Sequence, residues 1–147
     1  MIVFRITLTK FSDKLYASGR PARWNSAGTF MIYSASSRAL ACLENLVHRR
    51  GEGLDASFRT LVIEIPDKIK IETFEKSKLP KNWTSFKGQL HTKFVGDGWC
   101  RSGSSAVMQV PSAIIPEESN YLINPHHPDF SKIKIKAVEE FQFDNRF

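Results

Sequence analysis

The sequence predicts an α+β domain built on a curved, mostly antiparallel or mixed sheet with a few helices, and three observations carry that prediction. Six or seven short stretches alternate apolar and polar residues, as half-buried strands do. Helical periodicity is confined to two or three windows, with no regular strand–helix–strand spacing between them. The Gly-rich phosphate loops of doubly wound folds are absent: neither GxGxxG after the first strand nor GxxxxGK[ST] occurs. With 147 residues, 41% hydrophobic and 24% charged, the chain has enough apolar material for one core, and residues 1–147 read as a single domain.

Along the chain, IVFRITLT (2–9) alternates as a strand, with Ile2, Phe4, Ile6 and Leu8 on one face and Arg5 on the more polar one. Residues 17–29 carry Gly19, Pro21, Asn25, Ser26 and Gly28, which is loop chemistry, and FMIYSA (30–35) follows as a short strand. Ala39, Leu40, Leu43, Leu46 and Val47 fall at helical spacing, predicting a helix over 37–49 with Ser36 or Ser37 as N-cap. TLVIEI (60–65) and KIKIETF (68–74) read as strands parted by Pro66-Asp67. Residues 86–101 read as a helix broken near Gly96 and Gly98, and 104–116 as a strand running into a loop at Pro111. NYLI is a short apolar run before Asn-Pro and His-Pro breakers, and the C-terminal segment offers two strands, marked by Ile133/Ile135 and Phe141/Phe143.

Net charge is +6, from 21 Lys+Arg against 15 Asp+Glu, and a surplus of that size draws anions. The basic residues are dispersed with no polybasic tail, which favours a local anionic ligand over direct nucleic-acid binding. Cys42 and Cys100 lack metal-site spacing, so two free thiols in a reducing cytoplasm are expected. The N-terminus has no signal-peptide core, and no run of about 18 apolar residues exists to span a membrane.

Four places hold residues with chemical potential. Glu44 follows Leu40 by one turn at the edge of the Leu40/Leu43/Val47 stripe, where it is either a surface carboxylate paired with His48 or a pocket carboxylate. Arg20, Arg23, Trp24 and Asn25 suit a nucleotide, since guanidinium binds phosphate and indole stacks on flat rings, but they equally suit an anchored surface loop. Tyr33 reads as a core ring whose hydroxyl finds a partner. Ser112 lies outside any GxSxG elbow, which does not indicate a hydrolase nucleophile, and His126-His127 has no third ligand at metal spacing.

In order along the chain, FRI, ARWNSAG, MIYSA, ALACLENLVH, VPS, NYLINP, HPDF and FDNR resemble the motif series of the RES domain, the toxin half of Xre–RES toxin–antitoxin systems. The one departure is Ala22 where a glycine usually precedes the Arg-Trp pair. The resemblance implies a fold like that of diphtheria-toxin-type ADP-ribosyltransferases and an enzyme that consumes NAD. No metal and no other cofactor is implied; NAD is the substrate, and inorganic phosphate is the co-substrate if the nicotinamide–ribose bond is broken by phosphorolysis to ADP-ribose 1-phosphate. At least one relative modifies a protein instead. Matched residue by residue, Arg23, Glu44 and Ser112 take the catalytic positions, with Tyr33, Trp24, Asn25 and Arg5 as the substrate-binding set. The resemblance also implies a cognate Xre-type antitoxin that blocks the pocket and makes the DNA contacts, and it allows a homodimer within that complex.

Overall fold

The computed structural model describes all 147 residues. It contains seven strands in one sheet: β1 (Ile2–Leu8), β2 (Ile32–Ala35), β3 (Phe58–Glu64), β4 (Ile71–Thr73), β5 (Val107–Pro111), β6 (Ser119–Ile123) and β7 (Lys134–Phe141). Their spatial order is β4-β5-β6-β2-β1-β3-β7. All neighbours run antiparallel except β4 and β5, so the sheet is mixed, as the alternation patterns predict. Two α-helices complete it: α1 (Arg38–Arg49) and α2 (Gln89–Ser102).

The cross-strand register assigns the two faces. Phe4 and Ile6 of β1 share a face with Tyr33 and Ala35 of β2, Asn120 and Leu122 of β6, and Met108 and Val110 of β5. Two covers lie over this face. At one end Leu40 and Ala41 of α1 pack with Ile6, Ala35, Phe58 and Phe143. At the other, Trp99 of α2 joins Trp24, Met31 and Trp83 over Met108, Val110 and Leu122. The opposite face carries Val3, Ile32, Leu61, Ile63, Val107 and Ile123, covered by Ile65, Ile69 and Ile133 and by Leu15, Ala17 and Phe130 rather than by an α-helix.

Helix α1 begins where the spacing places it: Ser37 accepts the Leu40 amide at 3.1 Å. It ends on Arg50 in the left-handed region (φ +54°). Its buried side is rotated from the expected Leu40/Leu43/Val47 stripe, for Val47 is exposed while Leu40 and Ala41 are buried. On a wheel Glu44 lies between those two, which puts it on the sheet-facing side and not at the rim.

Three expectations are corrected. The C-terminal segment forms one strand, β7, because a register shift opposite Val62/Ile63 absorbs the break in alternation; Phe143 lies past its end. The 68–74 strand shrinks to three edge residues beside β5. Helix α2 is continuous through Gly96 and Gly98. Gly96 is there for contact: a Cβ on it would overlap the Trp24 carbonyl. Gly98 meets nothing nearer than the Arg101 guanidinium.

The two glycines therefore respond oppositely to alanine in urea unfolding. Gly96→Ala should destabilise by about 1–3 kcal/mol through overpacking against backbone. Gly98→Ala should stabilise by about 0.5–1 kcal/mol through helix propensity.

Candidate active site

The sheet parts between β1 and β2. Phe4 pairs with Ala35, and the ladder stops there. The next rung would join Ile6 to Tyr33, but the two carbonyls are taken by side chains: Asn45 Nδ2 donates to Ile6 O and an Arg5 terminal nitrogen to Tyr33 O, both at 2.9 Å. Asn45 reaches in from α1, and Arg5 from the opposite face, where it sits beside its β3 partner Leu61. Burial lowers the Arg5 pKa to about 10, and the guanidinium stays charged at neutral pH.

One turn of α1 holds both Asn45 and Glu44, so tying Asn45 to the strand seats Glu44 over the sheet. Ser112 Oγ donates to Glu44 Oε1 at 2.8 Å and Asn120 Nδ2 to the same oxygen at 2.6 Å. Ser112 is itself fixed, since its Oγ accepts the Ile114 and Ile115 amides at 3.0 and 3.1 Å. Glu44 Oε2 makes no hydrogen bond to the protein, and the residue is half-buried. His48 is exposed and is no partner for Glu44.

A second network lies on the same sheet face. Tyr33 OH donates to Asn25 Oδ1 at 2.6 Å and accepts the Trp24 amide at 3.0 Å. Burial raises the Tyr33 pKa above its ordinary value, so the ring is a neutral donor. Asn25 Nδ2 donates to the carbonyls of Arg20, Ser26 and Thr29, which folds residues 20–29 around one amide. Arg23 emerges from this loop and donates to the carbonyls of Trp83 and Thr84 at 2.9 and 3.1 Å. Two of its five N–H groups are thereby used, leaving the others for an anion. Burial lowers its pKa, and the negative charge of Glu44 opposes that in part.

The expected site residues thus divide. Glu44 and Ser112 converge through a direct hydrogen bond, while Arg23 and Tyr33 go with the second network on the same sheet face. Trp24 and Asn25 belong to the scaffold: each is 2% exposed, the indole packed against Phe74 and Trp83 and the amide saturated, so neither has a free face for a ligand. Arg5 braces the open rung from the other side. The sequence reading missed Asn45 and Asn120; Asn120 stands first in the NYLINP motif, and Asn45 directly follows Glu44. His127 is structural, its Nδ1 capping the turn at Pro128 by accepting the Asp129 amide at 3.0 Å. A surface depression of about 430 Å³ between Leu54–Arg59 and Glu140–Gln142 contains none of the converging residues.

The RES domain family matches residues 2–144. The chain belongs to the RES domain family. It is 42% identical over 127 residues to a Sphingobium protein named Prs ADP-ribosylating toxin, covering 84% of this chain and 78% of the relative. It is 37% identical over 151 residues to a Pseudomonas putida protein named Toxin Res, covering 99% of each. Among solved structures, it is similar to one of the M. tuberculosis MbcT–MbcA toxin–antitoxin complex, with a TM-score of 0.75 and 14% identity over 96% of this chain and 84% of that one. At that identity the likeness is one of fold. It agrees with the α+β architecture.

Removing the Tyr33 hydroxyl orphans two buried groups, the Trp24 amide and Asn25 Oδ1. Tyr33→Phe should therefore destabilise the protein by about 1–3 kcal/mol, measured by denaturant unfolding, an effect far larger than loss of one exposed hydroxyl.

Proposed function

We propose that this RES domain is the toxin of a bacterial toxin–antitoxin system and that it acts on NAD, breaking the bond between nicotinamide and ribose C1′. The observation that carries the reading is the Glu44 carboxylate, held through Oε1 by two donors with Oε2 unbonded, in the same field as the Arg23 guanidinium. When the C1′–N bond breaks, its electron pair returns to the ring nitrogen and neutral nicotinamide leaves. Positive charge then spreads over C1′ and the ribose ring oxygen, as in glycoside cleavage. A fixed carboxylate beside that cation stabilises it without reorganising. The unused N–H groups of Arg23 suit a phosphate oxygen, of NAD or of an attacking phosphate ion. Ser112 acts through Glu44, because its oxygen is already filled by two amides and its proton by the carboxylate.

In this reading the ADP-ribosyl acceptor is inorganic phosphate: its oxygen forms the new C1′–O bond and the product is ADP-ribose 1-phosphate. The alternative acceptor is a protein side chain, favoured by the name of the Sphingobium relative. Incubation of the chain with NAD, with and without phosphate, separates them by product mass. The expected result is nicotinamide release that depends on phosphate. Label from NAD on a macromolecule would transfer the assignment to protein modification, and no nicotinamide release in any condition would sink both. Glu44→Gln should lower kcat by about 100-fold or more while the fold survives on a thermal melt.

The reading includes an antitoxin, and one surface suits it. Phe86, in the turn before α2, and Leu90 and Phe94 in its first turns are 86%, 80% and 75% exposed and follow one another at four-residue spacing. Lys87, Lys93 and Arg101 accompany them without ion pairs. An acidic amphipathic segment complements such a stripe, which begins two residues beyond the Thr84 carbonyl held by Arg23. Replacing the three apolar residues by serine should weaken binding of the co-encoded antitoxin by about 10-fold or more in calorimetry. NAD turnover by the free toxin should stay unchanged.

A further inference from the structure

Asn120 holds a place that stability does not explain. It is 9% exposed, on β6 between Val110 of β5 and Ala35 of β2. Its Nδ2 donates to Glu44 Oε1, yet its Oδ1 is the one buried side-chain nitrogen or oxygen in the protein with no hydrogen-bond partner. The reverse amide orientation would press two oxygens together at 2.6 Å against Glu44, so Nδ2 is the end that faces the carboxylate. The same sheet face offers Leu122 and Val110, and an aliphatic residue at 120 would leave no polar atom unpaired. Nor does Glu44 need the bond for solvation, since Ser112 already donates to the same oxygen.

A second donor on one oxygen adds geometry. Ser112 alone leaves the carboxylate free to swing about that contact, whereas a second donor from another strand fixes its plane and hence the position of Oε2. We propose that Asn120 is a positioning residue that, with Ser112, pins Glu44 Oε1 so that Oε2 is presented to the reacting ribose. This rests on the reading of Glu44 as the carboxylate that stabilises the ribosyl cation. The orphaned Oδ1 is the cost of having an amide there.

Two variants and three readouts test it. Asn120→Leu should lower kcat for nicotinamide release by about 10-fold or more, with KM within about 3-fold, while the melting temperature holds or rises. Asn120→Asp keeps the shape but sets a second carboxylate against Glu44; the acid limb of its pH–rate profile should move up by about one pH unit or more. Wild-type kcat and pH profile in both variants would overturn the proposal. So would an Asn120→Leu protein that melts early, paired with an Asn120→Asp protein of unmoved pH profile, since that is the behaviour of a packing residue. If the unaltered chain releases no nicotinamide, the NAD reading fails by itself, and carbon-13 NMR titration of the Glu44 carboxyl still decides this inference. A midpoint raised in Asn120→Leu supports the pinning bond, and an identical midpoint overturns it.

Discussion

Between β1 and β2 the sheet keeps one pair, Phe4 with Ala35, and the following rung is held open by side chains in place of backbone. Unpaired carbonyls inside a protein are costly, so an open rung persists only where donors are supplied. Asn45 supplies one from α1 and Arg5 the other from the far face. Each donor then has a consequence beyond its own bond. Asn45 fixes the azimuth of α1 and with it Glu44. Arg5 steadies the start of β2, whose Tyr33 organises the 20–29 loop through its hydroxyl. Both halves of the site descend from one broken rung.

Polar groups at the site are arranged so that few of them are idle. Ser112 makes three hydrogen bonds, Asn25 engages both ends of its amide, and Tyr33 uses its oxygen as donor and acceptor. Such networks are stiff because losing any member leaves its partner unsatisfied. Against that background, Glu44 Oε2 and the remaining N–H groups of Arg23 stand out as groups without a protein partner. The apolar clusters on both sides of the sheet supply the stability that lets these polar groups be held in place.

Helix α2 holds the Arg23 half of the site through close approach. Gly96 admits the Trp24 carbonyl and Thr92 Oγ1 donates to the Arg23 carbonyl, so the loop bearing Arg23 lies directly on the helix. The outward side of the same helix carries Leu90 and Phe94, and Phe86 in the turn before it extends that exposed stripe. A partner seated there would lie on the element that positions Arg23, which ties regulation to the site through shared structure.

The sequence by itself determined what local pattern controls: the strands at 2–9 and 60–65, the helix over 37–49 capped by Ser36 or Ser37, the loop at 17–29 and an α+β class without a nucleotide-binding Gly loop. Those follow from periodicity, capping and turn chemistry, which act over a few residues. The ordered motif series also singled out Arg23, Tyr33, Glu44 and Ser112, although spacing alone left each open to a packing role. Only the tertiary structure decided that Trp24 and Asn25 are buried in the scaffold, that Gly96 is a contact and not a break, that β7 is one bulged strand, and that Asn45 and Asn120 bond to the Ile6 carbonyl and to Glu44. Apart from Asn25, whose amide partners lie within eight residues, each of these depends on a neighbour 25 or more residues away, as Asn120 on Glu44 or Gly96 on Trp24. Hydrogen bonding and close packing are satisfied in space, and no periodicity along the chain records which distant partner will do it.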